Sequence, residues 1–346
     1  MAIKIVSSRL LVSCRKYSRF SLHSLSTTDN FPKPTVKCID ISINLNRQFS
    51  VSGNPMRMRF VQFKSIKGGP QRLGVQLNPD GCVIDVSAVD SSIPNNLVQF
   101  LESGPTLWDK AKRIVGEGKS TNQLCDVQLL APVTRPDKIL CVGLNYKAHC
   151  DEQKKPYPVE PFFFNKFPST IIGPNDKVTH PHNTKRLDWE VELAVVIGQK
   201  CHKVQASEAL QYVFGYTVAQ DISARDWQTP KKNNGQWLFA KSMDTFCPLG
   251  PAVVAKESFG APDNKTIKCS VNGSVKQNSN TGDLVHSVED LIAYLSHCVT
   301  LLPGDLILTG TPGGVGLYSN PQQFLAPGDV IESEISGIGK LITHVA

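Results

Sequence analysis

The sequence predicts an α+β fold that is mainly β, and two observations carry that prediction. Most apolar runs are short, rich in valine and isoleucine, and closed by glycine, proline or asparagine, whereas runs with a helical period are few. The few helical runs, over 96–118, 207–213 and 287–295, interrupt a long succession of strands.

Taken in order, residues 29–55 mix polar residues and prolines around one short alternation, CIDISINL, and read as a linker or extended segment. MRMRFVQFKS, from Met56, is predicted as a strand with a slip in register, because Met56, Met58 and Phe60 alternate and Val61 and Phe63 then change face. RLGVQL follows, then CVIDVSAV after the Pro79-Asp80-Gly81 turn, both predicted as short strands. NLVQFLESGPTLWDKAKRIVGEG gives two helical pieces split by Gly104-Pro105, which completes a small α+β unit over 56–133.

The remainder, 134–346, opens with a buried strand at KILCV that Gly143 breaks. IIGPNDKV, VELAVVIG, YVFGYTVAQDIS, GPAVVA, KCSVNGSV, DLILTG, DVIESEIS and GKLITHV are predicted as strands, with Asn272-Gly273 as a turn between paired ones. Helices are expected chiefly over 207–213 and 287–295.

Composition sets the class. Of 346 residues, 40% are hydrophobic and 19% charged, as in an ordinary soluble globule. The net charge of +7 belongs mostly to residues 1–28, which hold five of the 37 basic residues and none of the 30 acids. The rest therefore gives no electrostatic reason to expect nucleic acid as a partner. That serine- and arginine-rich leader, with Ile3, Val6 and Leu10 on one helical face, has the pattern of a mitochondrial transit peptide. No membrane span is expected, because no stretch of about 18 apolar residues occurs. Ten scattered cysteines without a C-x-x-C pair argue against a disulfide framework or zinc site and fit reduced thiols in a matrix-like compartment.

The stretch DWEVELAVVIG raises a chemical question. On a strand, Asp188, Glu190 and Glu192 share one face while Trp189, Val191 and Leu193 share the other. Three like charges on one face call for a cation, either a divalent ion or lysines on a neighbouring strand, unless the face is simply solvated. GYTVAQDISARDWQ adds Asp221 at the end of an apolar run, a third oxygen donor or a partner of Arg225. Three carboxylates with no histidine or cysteine nearby favour Mg²⁺ or Mn²⁺ over zinc.

In GLNYKAHCDEQ, His149 and Glu152 lie on one helical turn and form a candidate proton-transfer pair, or an ordinary surface pair. Lys241 and Lys166 each follow an apolar run, placed to meet a substrate carboxylate or enolate or to snorkel outward. DLILTGTPGGVG ends a buried strand in a glycine-rich loop whose amides, with Thr311, can cradle a carboxylate or form a bare turn.

Together GLNYKAH, DWEVELAVVIG, GYTVAQDISARDWQ, AKSMDTFCPLGP and LILTGTPGGVG, in this order and spacing, resemble the fumarylacetoacetate hydrolase family over residues 56–346. APVTRPDK, SARDWQ and DTFCPLGP point within it to the mitochondrial branch called fumarylacetoacetate hydrolase domain-containing protein 2. The resemblance implies a mixed β-roll over 134–346, usually a homodimer. It implies Glu190, Glu192 and Asp221 as ligands of Mg²⁺ or Mn²⁺, and His149 and Glu152 as the proton-transfer dyad beneath a mobile lid. It also implies Lys241 as the active-site cation, with Arg225, Gln228 and Thr311 lining the pocket for a small 2-oxo acid. Asp188 is then expected at the mouth, solvated. Leu140 to Tyr146 contain no acid, whereas fumarylacetoacetate hydrolase itself has a further acidic ligand there, so that particular activity is disfavoured.

The expected reaction is oxaloacetate keto-enol tautomerisation in the mitochondrial matrix through an enolate at the metal. Carbon-carbon hydrolysis of acylpyruvates or related diketo acids, or oxaloacetate decarboxylation, are the alternatives at the same site. A non-catalytic protein retaining the fold is disfavoured by the intact acids and dyad.

Overall fold

The computed structural model describes residues 57–79, 81, 83–117 and 127–346. The expected leader over 1–28 and linker over 29–55 lie outside them.

Among the described residues, an 11-stranded mixed sheet forms the centre. Its main path runs Val83–Ile84, Arg72–Gln76, Arg59–Ser65, Cys247–Ala255, Val213–Gln220, Val191–Ile197, Leu306–Leu308, Ile139–Gly143 and Phe162–Lys166. Neighbours on the path are antiparallel except Leu306–Leu308 beside Ile139–Gly143, which makes the sheet mixed. A second sheet of five strands, Ser274–Asn280, Thr266–Val271, Val330–Ile335, Gly339–Val345 and Lys177–Val178, packs on one face. The fold is α+β and mainly β, as expected.

The Val191–Ile197 strand shows how the two faces are used. Val191, Leu193, Val195 and Ile197 point into a core shared with Ile267, Ile331 and Leu341 of the second sheet. Ala194 and Val196 point the other way, into a core shared with Phe100, Leu101 and Ile114 of helices Leu97–Glu102 and Pro105–Glu117. The layers are therefore helices, large sheet, small sheet. Residues on both sides of the expected boundary at 133 contribute strands to the large sheet.

Several elements differ from expectation for local reasons. Arg59–Ser65 pairs in regular register with Arg72–Gln76, so the strand has no slip between Arg59 and Phe63. Met58 and Phe60 face one core and Val61 and Phe63 another, and a strand buried on both faces imitates a slip. In CVIDVSAV only Val83–Ile84 is strand. The Asp85 carboxylate then accepts from Ala88 N at 2.9 Å and starts the helical turn Val86–Val89. IIGPNDKV is two two-residue strands, Ile171–Ile172 and Lys177–Val178, and FFFNK is an additional strand. The helix expected over 207–213 is a 3-10 helix, Ala206–Tyr212, since Val213 already belongs to a strand.

Gly215 lies where the Val213–Gln220 strand passes Cys247–Ala255, and a Cβ there would stand 2.2 Å from the Val254 carbonyl oxygen. Gly215→Ala is expected to cost about 1–3 kcal/mol of stability, since a paired strand cannot yield like a side chain. Urea unfolding checks this; an unchanged midpoint would show that the two strands separate freely at this point.

Candidate active site

The site forms at the ends of interior strands of the large sheet. Val191–Ile197 begins there, and Val213–Gln220, Leu306–Leu308 and Ile139–Gly143 end there. Strand ends leave side chains and amides free of the ladder, so Glu190, Glu192, Asp221, Thr311 and His149 converge from separate segments. The cavity there, of about 80 Å³, is lined by Glu190, Glu192, Thr311 and His149 together with Arg225, Gln228, Lys241, Gln153, Lys155 and Tyr318, whereas Asp221 joins the cluster without lining the cavity.

Glu190, Glu192 and Asp221 are buried, with ligand oxygens all within 4.8 Å of one another. Lys241, at the end of helix Trp237–Lys241, donates to Glu190 Oε2 and to Asp221 Oδ2, each at 2.6 Å. Arg225 donates through Nε to Asp188 Oδ2 at 2.8 Å and through its second nitrogen to Glu190 Oε1 at 2.5 Å.

Two residues differ from their expected places. Asp188 is not at a solvated mouth but fully buried, accepting from Arg225 and from the backbone amides of Trp189, Gly316 and Leu317. The strand breaks at Trp189-Glu190, which turns Asp188 inward to brace Arg225. Lys166 is not among the residues lining the cavity. Its ammonium donates to Asp221 Oδ1 at 2.7 Å and to the carbonyls of Ile222 and Lys241, so it anchors the acid from behind.

Among the described residues, three cations thus meet four buried carboxylates, and Glu192 is the one without a cation. Its one partner among them is the Gly310 N–H, at 2.8 Å. Burial, and then repulsion from Asp221 and Glu190, push its carboxyl well above the usual carboxylate range. Burial acts on Glu190 in the same direction, but Arg225 and Lys241 overcome it and hold that carboxyl well below the usual range. An oxygen-only cluster short of one cation fits a hard divalent ion, which Glu190, Glu192 and Asp221 can hold.

The dyad is formed. His149 Nδ1 and Glu152 Oε1 are 2.5 Å apart on helix Lys147–Glu152. Glu152 Oε2 accepts from Gly314 N at 3.0 Å, so the glycine-rich loop holds the dyad's carboxylate just as it holds Asp188 through Gly316. Glycine is needed at both places. A Cβ on Gly314 would lie 2.1 Å from the Lys276 carbonyl oxygen, and one on Gly316 would lie 1.9 Å from that of Gln323. Thr311 donates to the Val191 carbonyl at 3.0 Å, tying the loop to the acidic strand.

Four contributors were not identified from the sequence. Asn145 clamps the loop before the helix, donating to the carbonyls of Thr309 and His286 and accepting from His286 N. Gln277 binds Thr311 Oγ1 at 2.7 Å and Val191 N at 3.0 Å. Gln153 lies 2.7 Å from His149 Nε2, and Tyr318 donates to Gln153 Oε1 at 3.0 Å. With its oxygen taken by Tyr318, Gln153 presents its NH₂ to His149, which makes Nε2 the acceptor and Nδ1 the donor to Glu152. Only the nearness of Gln153 to the H-x-x-E pair hinted at this, since a glutamine carries no pattern of its own.

The family description Fumarylacetoacetate (FAA) hydrolase C-terminal matches residues 138–346. The chain belongs to the fumarylacetoacetate hydrolase family. Within it the similarity is to the mitochondrial domain-containing protein 2 branch. "Oxaloacetate tautomerase fahd2, mitochondrial" of Xenopus laevis is 47% identical over 297 residues, covering 86% of this chain and 93% of the relative. "Oxaloacetate tautomerase FAHD2A, mitochondrial" of Homo sapiens is 48% identical over 288 residues, covering 83% and 91%. Among solved structures, a putative HpcE protein from Mycobacterium smegmatis superimposes with a TM-score of 0.73 at 34% identity, over 84% of this chain and 99% of that one. Maleylpyruvate hydrolase from Sphingobium sp. SYK-6, in complex with manganese(II) and pyruvate, has a TM-score of 0.70 at 30% identity, over 84% and 99%.

Because burial and the repulsion of Asp221 and Glu190 favour the protonated Glu192 carboxyl, ion binding there is expected to release protons and ion affinity to rise with pH. Calorimetry in buffers of different ionisation heat measures that release, and Glu192→Gln should remove it. Affinity independent of pH, with no proton released, would refute the assignment. By the same sign, the ion-free protein gains stability from this group as pH falls, since the folded chain holds the proton more tightly than the unfolded one.

Proposed function

We propose that this chain is a metal-dependent oxaloacetate tautomerase, converting the enol to the keto form. The observation that carries the reading is the His149–Glu152 pair, 2.5 Å apart, facing a buried three-carboxylate cluster across one small cavity. Relatives that bear the tautomerase name match most of the chain.

Glu190, Glu192 and Asp221 hold Mg²⁺ or Mn²⁺, which when bound polarises the C2 oxygen of a 2-oxo acid and stabilises the charge that develops there. Gln228 lines the cavity, its buried amide nitrogen has no partner and its oxygen accepts from Arg225, and with Arg225 and Thr311 it orients the substrate's C1 carboxylate. His149 Nε2 is the open end of the dyad. When substrate enters, Nε2 exchanges the Gln153 amide for the enol hydroxyl, takes that proton, and returns one to C3. Glu152 fixes the imidazole tautomer and stabilises the imidazolium while the proton is in transit. Lys241 stays charged, because burial, which favours the neutral amine, is overcome by Asp221 and Glu190, and it keeps positive charge close to the reacting oxygen. Lys166 supports the site by positioning Asp221.

Carbon-carbon hydrolysis is the second reading, favoured by the likeness to a solved maleylpyruvate hydrolase, and would use the same dyad to activate water. Oxaloacetate decarboxylation at this site is the remaining alternative. The chain is further proposed to act in the mitochondrial matrix as a homodimer. Residues 1–28 would serve as transit peptide, 29–55 as linker, 56–133 as a small N-terminal domain and 134–346 as the catalytic domain. The acid-free leader and the mitochondrial names of the relatives support the location. No described helix is long and apolar enough to cross a membrane.

The test follows ketonisation of freshly dissolved enol-oxaloacetate by ultraviolet absorbance. Acceleration with Mg²⁺, lost with EDTA, and a fall of about 10²- to 10⁴-fold in kcat for His149→Ala are expected. A rate equal to buffer alongside cleavage of acetylpyruvate would put the hydrolase reading first.

A further inference from the structure

One cation on the cavity wall has no part in the chemistry above. Lys155 lines the cavity together with His149, Gln153 and Tyr318. Its ammonium makes no hydrogen bond or ion pair with any described residue. Arg225 and Lys241, the other cations on this wall, pair with Asp188, Glu190 and Asp221, and in the reading above they serve the C1 end and the reacting oxygen, not the far end of a substrate.

The backbone places Lys155 by a specific turn. Lys155 N donates to Cys150 O and Lys154 N to Asp151 O, each at 3.0 Å, the bond pair that closes a helix in a Schellman motif. Lys154 occupies the left-handed position of that motif with φ of 54°, where glycine is favoured. The chain therefore reverses within one residue of Gln153, and Lys155 is carried back over the cavity instead of away from it.

Charge balance gives this residue a task. The buried cluster contains three cations and four carboxylates, so a divalent ion leaves it one positive charge in excess. That excess answers at most one carboxylate of a substrate, and the Glu152 carboxylate beside His149 adds a further negative charge to the site. A diacid brings a second negative charge, and Gln153 and Tyr318 offer it only neutral groups.

We propose that Lys155 binds the distal carboxylate of a short 2-oxo dicarboxylic acid and selects diacids over monoacids at this site. The inference rests on the 2-oxo acid reading of the cavity. Lys155 is a specificity residue: it meets the far end of the substrate and does not touch the atoms that exchange protons. Since it is exposed, its contribution should weaken with salt.

Two measurements separate this proposal from the reading beneath it. The first compares ketonisation of enol-oxaloacetate with that of its 4-ethyl monoester, which lacks the distal charge. Lys155→Met should lower kcat/KM for the diacid by about tenfold, through KM, and Lys155→Arg should restore most of it. The ester, with no charge for Lys155 to meet, should change by less than about twofold. Equal losses on both substrates, or none on the diacid, would overturn the proposal.

The second measurement is calorimetric binding of malate and of lactate in the presence of Mg²⁺, which needs no turnover. Wild-type protein should prefer malate, and Lys155→Met should lose that preference while still binding lactate. If no form ketonises oxaloacetate but this pattern holds, the tautomerase reading fails and the Lys155 assignment stands. A malate preference kept in Lys155→Met would overturn it.

Discussion

The constraint on which this structure depends is a block of buried charge at the ends of interior strands of a β-sheet. Asp188, Glu190, Glu192 and Asp221 are removed from water together with Lys166, Lys241 and Arg225. Burying an ion costs several kcal/mol unless each is paired in good geometry, so the surrounding fold must supply that geometry. Arg225 spans Asp188 and Glu190, Lys241 spans Glu190 and Asp221, and Lys166 closes the set behind Asp221. Glu192 remains short of a cation among the described residues, and that deficit is what a positive charge placed there would offset. Here stability and function share one electrostatic arrangement.

The same arrangement reaches the proton-transfer dyad through backbone amides. Gly314 and Gly316 lie two residues apart, one holding Glu152 and the other Asp188. Thr311 and Gln277 fasten this loop to the acidic strand at Val191. A loop whose amides serve both carboxylates must keep a fixed spacing between dyad and cluster, which suits a reaction whose proton moves only between adjacent atoms. The close approach of two carbonyls to Gly314 and Gly316 explains why side chains are excluded there.

Much of the site was legible because strand geometry converts sequence alternation directly into shared faces. Glu190 and Glu192 are two residues apart, and their cluster with Asp221 follows once both strands are placed. His149 and Glu152 are likewise one helical turn apart, a local relation that needs no tertiary knowledge. Elsewhere the same logic misled. Arg59–Ser65 is apolar on both faces, so its alternation resembled a register slip, and Asp85 caps a helical turn inside a stretch with strand composition. Lys166 and Lys241 follow similar apolar runs, yet one supports an acid from behind and the other faces the cavity.

The sequence by itself determined the class of fold, and it singled out three acids and a His-Glu pair that the structure brings together, with no soft metal ligand among them. These follow from local periodicity and from side-chain chemistry, which a linear reading contains. Only the tertiary structure decided that Asp188 is buried, that Glu192 is the carboxylate short of a cation, and that Gln153 and Tyr318 set the His149 tautomer. Each of those depends on which distant groups share a few ångströms of low-dielectric space. Pairings such as Asp188 with Gly316, or Gln153 with Tyr318, join residues 128 and 165 positions apart, a relation that local periodicity does not encode.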